Sequence, residues 1–283
     1  MFTPDQYQLI DFGYRKKLER FSGVEVLRDC PAAAGRPKNP KLYRSDDLMA
    51  FDRESNQWTA AAQIPEPWHI NHGTVRLGLK PTPFGHIGAF CEQAANWHWL
   101  DGLSDLVNGC KAINLFAYTG GTSLKLASLG ASVVHVDSAK NVVNWARENA
   151  SNSGLAEKPI RWIVDDALTF VRREAKRGNK YDIIVADPPA FGHGGKKASW
   201  KLQRDLPTLI ELLQEISMSY PTIILFTWHS QGVQEREFCQ LVQDAFELNN
   251  DGIQDSGPLD LESLDGRKLN CGHFFRWHSP QQG

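Results

Sequence analysis

The chain has 283 residues, of which 41% are hydrophobic, and its 31 basic and 33 acidic side chains give a formal net charge of −2. This length predicts one large α/β domain with a small accessory module, while the near-neutral charge supports no general affinity for nucleic acid, so any basic surface must be local. The five cysteines show no C-x-x-C pair or metal-ligand spacing, and without a secretory signal or long apolar run we expect a cytoplasmic protein with reduced thiols, no metal and no membrane segment.

The first 80 residues differ in pattern from those that follow. Short, partly alternating segments interrupted by Gly13, Gly23 and Pro31 predict a small β-rich accessory module over residues 1–80. The segments Leu42–Trp58 and Thr74–Leu79 are candidates for further strands. The module has a local excess of basic side chains, namely Arg15, Lys16, Lys17, Arg20 and Arg28. These charges indicate either a solvated strand face or a contact with nucleic acid.

The next segment, Pro81–Trp99, is dense in aromatic residues, glycine and proline. We predict that it leads into a second domain over residues 81–283 and continues as a helix from about Glu92 to Leu100. Its histidine and tryptophan side chains are equally compatible with ligand contacts and with packing between the two modules.

The stretch Ala112–Asp137 predicts the centre of the second domain. It reads as a buried strand, a turn with two glycines, a helix and a second strand that ends in a carboxylate. Glycine lets the turn Tyr118–Gly121 pass close to a ligand, and an acidic side chain at Asp137 suits the ribose hydroxyls of an adenosine. Because the turn lacks the G-x-G-x-x-G fingerprint of dinucleotide sites, the pattern favours an adenosine cofactor that has no phosphate.

From Ala112 onward, predicted strands and helices alternate regularly. The predicted strands are Ala112–Ala117, Ser132–Asp137, Ile160–Asp165, Tyr181–Asp187 and Thr222–Trp228, then Gly252–Leu259 and Cys271–Trp277. The predicted helices are Thr122–Leu129, Ala139–Ser151, Ala167–Arg177, Trp200–Ser219 and Val233–Glu247. This βαβα pattern is typical of a mostly parallel sheet with helices on both faces.

The residues that carry a resemblance to a known family are Asn114–Gly121 (NLFAYTGG), Asp137, the step Asp165, Asp166 and Ala167, and Asp187–Phe191 (DPPAF). From roughly Pro81 to the C-terminus, the chain resembles class I S-adenosylmethionine-dependent methyltransferases, in the branch of bacterial 23S ribosomal RNA methyltransferases. The resemblance implies a Rossmann-like α/β fold, with a mostly parallel seven-stranded sheet, helices on both faces and an antiparallel edge strand. It also implies S-adenosyl-L-methionine as the cofactor.

The resemblance further implies which residues hold that cofactor. These are Phe84, Phe90, Gln93, Asn114, Phe116, Tyr118, Thr119, Gly120, Gly121, Asp137, Asp165, Asp166, Ala167 and Asp187. The first three are expected at the methionine end of the cofactor, and Asp137 at the ribose. For the adenine amino group the resemblance favours Asp166, with Asp165 as the alternative.

The run Asp187-Pro188-Pro189 resembles the D/N-P-P-aromatic motif of methyltransferases that act on planar nitrogen. In that motif a carboxylate or amide and a proline carbonyl accept hydrogen bonds from an amino group, and an aromatic ring stacks on the base. The resemblance therefore implies catalytic roles for Asp187, Pro188, Pro189 and Phe191. The sequence departs from the motif, because Ala190 occupies the aromatic position and Phe191 follows it. Stacking by Phe191 and a merely rigid strand end are both compatible with this pattern.

The segment after this motif, Gly192–Trp200, is glycine-rich, cationic and aromatic. Such a loop beside the methyl group is suited to close over a substrate and to stack a flipped base. The predicted substrate residues are His193, Lys196, Lys197 and Trp200, together with His229. His229 follows a predicted strand and either orients a substrate or satisfies the strand end.

The stretch Phe226–Gly232 contains no cysteine. Cytosine-C5 methyltransferases of the branch carry a cysteine at this place, because C5 becomes nucleophilic only after a thiolate adds to C6. Methylation of a base nitrogen in RNA, with ribosomal RNA as the leading candidate, is therefore our first hypothesis. The alternatives are methylation of a small molecule or protein, an NAD-dependent oxidoreductase, which the missing fingerprint disfavours, and an RNA-binding protein with a vestigial cofactor pocket.

Overall fold

The computed structural model describes residues 1–44, 47–59, 64–192, 200–219, 221–229, 232–248 and 252–280. Over these ranges the chain forms a five-stranded sheet, a two-stranded hairpin and a seven-stranded sheet flanked by helices. None of the helices in this part of the chain is long and apolar enough to cross a lipid bilayer.

The N-terminal module is rich in β-structure, as predicted. Its strands are β1 (Tyr7–Gly13), β2 (Lys16–Phe21), β3 (Val24–Asp29), β4 (Met49–Asp52), β5 (Gln57–Thr59), β6 (His69–His72) and β7 (Val75–Gly78). Strands β1–β5 form one sheet in sequence order, antiparallel except for β3 and β4, and β6 pairs with β7. Two-residue turns join the first three strands, with positive φ at Tyr14 and Arg15 and again at Ser22 and Gly23. This turn geometry matches the twist of an antiparallel hairpin.

The segment Leu42–Trp58 is extended only in part, in β4 and at the start of β5. Pro40–Arg44 forms a 3-10 helix instead, because proline at its first position already has a helical φ and lacks the N–H that a strand would use. The module packs against the far end of the chain, where Arg267 donates to Asp11 at 2.5 Å. Side chains from both parts of the chain share one buried cluster, and the division near residue 80 stays a prediction.

The larger sheet is built from β8 (Lys111–Leu115), β9 (Ser132–Asp137), β10 (Ile160–Val164), β11 (Ile183–Ala186), β12 (Ile223–Trp228), β13 (Ile253–Glu262) and β14 (Lys268–His278). Their spatial order is β10-β9-β8-β11-β12-β14-β13. The first five of these strands along the chain run parallel, and β14 is antiparallel to both of its neighbours. The predicted sheet with its reversed hairpin at one edge is confirmed.

The sequence of the central strands explains their position. Strands β11 and β12 are continuous buried runs, as expected where helices cover both faces of a parallel sheet. The helices are α1 (Ala94–Asp101), α2 (Ser104–Val107), α3 (Gly121–Ser128), α4 (Lys140–Asn152), α5 (Ala167–Lys176), α6 (Leu202–Glu215) and α7 (Glu235–Phe246). The predicted helix from Glu92 begins as a 3-10 turn, Cys91–Gln93, that leads into α1. The carboxyl ends of β8 to β12 share one edge, which is where open α/β sheets bind their ligands.

Candidate active site

The turn between β8 and α3 has an unusual backbone. Phe116 and Tyr118 have φ of 55° and 49°, and Gly120 has φ of 90°. Left-handed conformations at non-glycine residues are strained and are concentrated at ligand sites, where the surrounding structure holds them in place. Asp137 holds this turn in place: its carboxylate accepts the backbone N–H of Tyr118 at 3.0 Å and that of Ala139 at 2.9 Å. Burial raises the pKa of the Asp137 carboxyl.

The two glycines of this turn serve different purposes. Gly120 supplies the left-handed backbone, while a Cβ on Gly121 would lie 2.4 Å from the Trp97 ring. Trp97 lies on α1, and its indole N–H donates to Thr122 at 3.0 Å. Gly121 therefore lets α1 pack against the start of α3, in addition to the close ligand approach that the sequence predicts.

Replacing Gly121 with alanine is expected to destabilise the protein by roughly 1–3 kcal/mol, because the new methyl group overlaps the buried Trp97 ring. Gly102→Ala is the matched control: its φ is −68° and its Cβ would meet only the Trp99 carbonyl oxygen, at 3.4 Å. The control should shift the free energy of unfolding by less than about 1 kcal/mol. Urea denaturation measures both, and equal effects of the two substitutions would contradict this packing role.

Beside the turn lies a narrow cleft with a cavity volume of about 50 Å³. It is lined by Leu77, Ala89, Phe90, Gln93, Trp97, Asn114, Phe116, Ala117, Tyr118, Thr119, Gly121, Thr122, Val185, Asp187, Leu225 and Thr227. Eight predicted cofactor residues are among them. Phe84, Gly120, Asp137, Asp165, Asp166 and Ala167 do not line it. The hydroxyl of Tyr118 is buried beside the backbone of Gly88.

The two candidate adenine acids lie at the start of α5. Asp166 caps the helix by accepting the Thr169 N–H at 2.8 Å, and Asp165 forms an ion pair with Arg173 on the exposed face of α5. The preference for Asp166 over Asp165 as the adenine ligand stays a prediction. The basic residues of α5 and of the position after it are exposed. Among them, Arg173 pairs with Asp165 and Arg177 pairs with Glu174.

The carboxylate of Asp187, at the end of β11, is fixed by side chains from two other elements. The Thr227 hydroxyl on β12 donates to Oδ1 at 2.6 Å, and the Gln93 amide lies 3.4 Å from Oδ2 and 3.2 Å from the Thr227 hydroxyl. Gln93 is in turn held by Asn96, which donates to its carbonyl at 2.7 Å. Sequence reasoning missed Thr227, although a polar residue near the end of a buried strand is a signal that could have found it.

The two proline carbonyls of the motif differ in their contacts. The Pro189 carbonyl accepts the Trp200 indole N–H at 2.6 Å, whereas no described residue donates to the Pro188 carbonyl. Trp200 is buried and packs on Phe116 with ring centroids 5.1 Å apart, an arrangement that favours a structural role. Phe191 is 68% exposed. The predicted substrate residues His193, Lys196 and Lys197 lie outside the described residues.

His229 completes the polar cluster at this edge. Its Nε2 lies 3.3 Å from Asp187 Oδ1, and its Nδ1 donates to the Cys271 carbonyl at 2.5 Å. Burial alone would lower the pKa of His229, but the Asp187 carboxylate outweighs it and raises the pKa to about 9. The ring is therefore an imidazolium at neutral pH and balances the charge of Asp187.

A second cavity, which we call the inter-module groove, runs from this cluster between the N-terminal module and β14. It has a cavity volume of about 780 Å³ and is lined by Arg15, Lys17, Arg28, Asp29, Cys30, Pro31, Ala32, Phe51, Arg53, Asn56, Phe84, Gly85, His86, Phe90, Glu92, His229, Asn270, Cys271, Gly272 and His273. Phe90 lines both the groove and the cleft, and the His229–Asp187 pair joins them. Phe84 belongs to the groove and is 71% exposed.

Comparisons with known proteins agree on one family. A family model described as S-adenosylmethionine-dependent methyltransferase matches residues 42–226. The chain is 37% identical over 237 residues to a ribosomal RNA large subunit methyltransferase K/L of Shewanella frigidimarina, covering 74% of this chain and 33% of that protein. It is 30% identical over 236 residues to a ribosomal RNA large subunit methyltransferase I of Aeromonas hydrophila, covering 79% and 57%.

These two curated relatives are longer proteins, of which the chain spans about a third and just over half. A solved structure matches nearly end to end: the crystal structure of an S-adenosylmethionine-dependent methyltransferase from Agrobacterium tumefaciens superposes with a TM-score of 0.88. It is 32% identical in sequence, and the match covers 99% of this chain and 92% of that one.

Proposed function

Because the chain belongs to the S-adenosylmethionine-dependent methyltransferase family, we propose that it transfers the methyl group of this cofactor to a base nitrogen of RNA, and that the RNA is ribosomal. The cofactor supplies a methyl group on a cationic sulfur, so the reaction needs alignment and exclusion of water more than acid or base help. The task of the chain is therefore to hold a nucleophilic nitrogen at the junction of the cleft and the groove.

The observation that carries the RNA assignment is the lining of the inter-module groove. Arg15 and Arg53 are exposed there, and Phe84 and Phe90 supply aromatic surface. Cationic side chains that follow a backbone, combined with rings on which bases stack, are the usual features of single-stranded nucleic acid sites. The names of the two curated relatives support ribosomal RNA.

Nitrogen rather than carbon is favoured as the acceptor by the chemistry at the junction. Cys271 is the cysteine whose backbone contacts His229, and burial raises the pKa of its thiol. A thiol that is protonated at neutral pH is a poor nucleophile for covalent activation of a pyrimidine. Asp187 and the Pro188 carbonyl, by contrast, are acceptors suited to the N–H of a reacting ring nitrogen.

Asp187 is well prepared for such a role. With Thr227 on Oδ1 and Gln93 near Oδ2, its carboxylate is held in one orientation before a substrate arrives. Each carboxylate oxygen can accept more than one hydrogen bond, so an acceptor position remains for the substrate. His229, as an imidazolium, keeps the net charge of this pair near neutral and limits repulsion of the RNA backbone.

The proposal is tested by incubating the protein with tritiated S-adenosylmethionine and ribosomal RNA from cells that lack it, followed by nucleoside analysis. We expect label in RNA, on an N-methylated base. Label confined to protein or small molecules would reject RNA as substrate, and label on C5 of cytosine would reject the nitrogen. Thermal stabilisation by S-adenosylhomocysteine without transfer to any of these would favour a vestigial cofactor site.

A further inference from the structure

The inter-module groove contains a buried charged group that the proposed methyl transfer does not use, the carboxylate of Glu92. Glu92 lies in the 3-10 turn Cys91–Gln93, and only 6% of its surface is exposed. Its Oε2 atom is buried, and no residue that the structure describes donates a hydrogen bond to it. A carboxylate oxygen buried without a donor is unfavourable. A donor brought by a bound ligand would remove that cost.

The two buried cations of the groove wall, Lys17 and Arg28, are already paired elsewhere. Lys17 Nζ lies 3.1 Å from Glu19 Oε1, and Arg28 donates to Glu19 Oε2 at 2.6 Å. Glu19 and, more weakly, Glu92 raise the pKa of Lys17 through space, but within the described ranges no ion pair includes Glu92. The protein therefore supplies electrostatic compensation for Glu92 without supplying a hydrogen-bond donor to Oε2.

The position of Glu92 indicates which ligand brings the donor. Its neighbour Phe90 lines both cavities, and its neighbour Gln93 lies within hydrogen-bond distance of Thr227 beside Asp187. Glu92 itself lines the groove and not the cofactor cleft. A hydrogen-bond donor that reaches Glu92 from the groove therefore belongs to the substrate. That donor lies next to the reacting nitrogen.

Resting on the proposed RNA methylation, we infer that Glu92 forms a recognition subsite that accepts a hydrogen bond from an exocyclic amino group of the target base. Such a group projects from the ring edge and presents its N–H to an acceptor, as when a carboxylate reads the amino group of cytosine. Uracil has no amino group, and its ring N–H lies between two carbonyl oxygens that a carboxylate repels. The subsite attracts the amino group of adenine, cytosine or guanine. It repels the carbonyl oxygens of uracil and so discriminates against that base twice over.

The test compares Glu92→Gln with Glu211→Gln, a control on the exposed surface of α6. The substitution keeps the shape of the side chain but replaces one acceptor oxygen by a donor. We expect kcat/KM for RNA to fall roughly 10- to 100-fold in Glu92→Gln, with unchanged affinity for S-adenosylhomocysteine by calorimetry and no loss of melting temperature. Glu211→Gln should match the wild type in all three measurements.

Three results would overturn the inference while the proposed function stands. One is wild-type kcat/KM in Glu92→Gln; a second is weakened S-adenosylhomocysteine binding, which would assign Glu92 to the cofactor. The third is a fall in melting temperature that accounts for the lost activity, as expected of a mere counter-charge to Lys17. Failure of the wild type to methylate any RNA would instead sink the proposed function.

A second measurement needs no variant. A short RNA that contains the mapped target is synthesised with the target base replaced by its analogue without the amino group, such as inosine for guanosine. As a competitor of the wild-type enzyme, it should inhibit about tenfold more weakly than the parent RNA. Equal inhibition, or a wild-type product identified as a methylated uridine, would contradict the subsite.

Discussion

Replacing Asp187 with alanine is expected to lower methyl transfer by about 1,000-fold while S-adenosylhomocysteine still binds. The carboxylate is held by Thr227 and Gln93 at the junction of the two cavities, where a substrate nitrogen must be aligned. The turn from Phe116 to Gly121 is fixed by Asp137 instead, so the part of the cleft that this turn forms keeps its shape without Asp187. Initial rates with tritiated cofactor and calorimetry with S-adenosylhomocysteine measure the two effects separately.

The matched variants sharpen this result. Asp187→Asn keeps an acceptor oxygen, as the asparagine form of the D/N-P-P motif does, and should retain more activity than the alanine variant. Asp244→Ala, on the exposed face of α7, controls for the loss of a surface charge. If the alanine variant transferred methyl groups at the wild-type rate, Asp187 would have no part in aligning the acceptor.

The larger sheet could be predicted from sequence because its signals are local. Runs such as Ile183–Ala186 are wholly apolar, and each is followed by a carboxylate or a glycine turn that marks the carboxyl end of a strand. Strand ends defined in this way are sufficient to identify Asp137 and Asp187 from the sequence alone. The alternation of strands and helices then implies that these ends lie along one edge.

The partners of these residues could not be predicted, because they depend on which strands become neighbours. Thr227 and His229 reach Asp187 because β12 lies beside β11, and Gln93 reaches it from a segment more than 90 residues earlier. The proposed subsite at Glu92 depends on the groove that the N-terminal module and β14 form together. Nothing local in the sequence specifies that contact. The stretch Phe226–Gly232, which contains no cysteine, argues only against cytosine-C5 methylation and does not identify the substrate.

The N-terminal module contains a cluster whose loss should destabilise the whole chain. Glu19 is fully buried on β2 and accepts hydrogen bonds from Tyr7 at 2.9 Å and from Arg28 at 2.6 Å, with Lys17 at 3.1 Å. Burial by itself would raise the pKa of Glu19, but the two cations outweigh burial and lower the pKa to about 2. Glu19 thus pairs with two buried cations, which also line the groove.

Glu19→Gln is expected to lower the free energy of unfolding by about 3–5 kcal/mol, because it leaves the charges of Arg28 and Lys17 buried without their partner. Glu25→Gln is the control on the same module: Glu25 pairs with Arg20 at the surface, and its loss should cost less than about 1 kcal/mol. Urea denaturation at pH 7 measures both. Similar losses in the two variants would show that the buried cluster adds no more than an exposed ion pair.

The pH dependence provides an independent check of this cluster. A carboxyl whose folded pKa lies near 2, against an ordinary value of 4.5, stabilises the fold fully above about pH 4.5 and loses that contribution as the pH falls towards 2. The difference in unfolding free energy between the wild type and Glu19→Gln should therefore be constant from pH 7 to about 5 and shrink below it. A constant difference down to pH 3 would mean that hydrogen-bond geometry, rather than the charge of Glu19, stabilises the module.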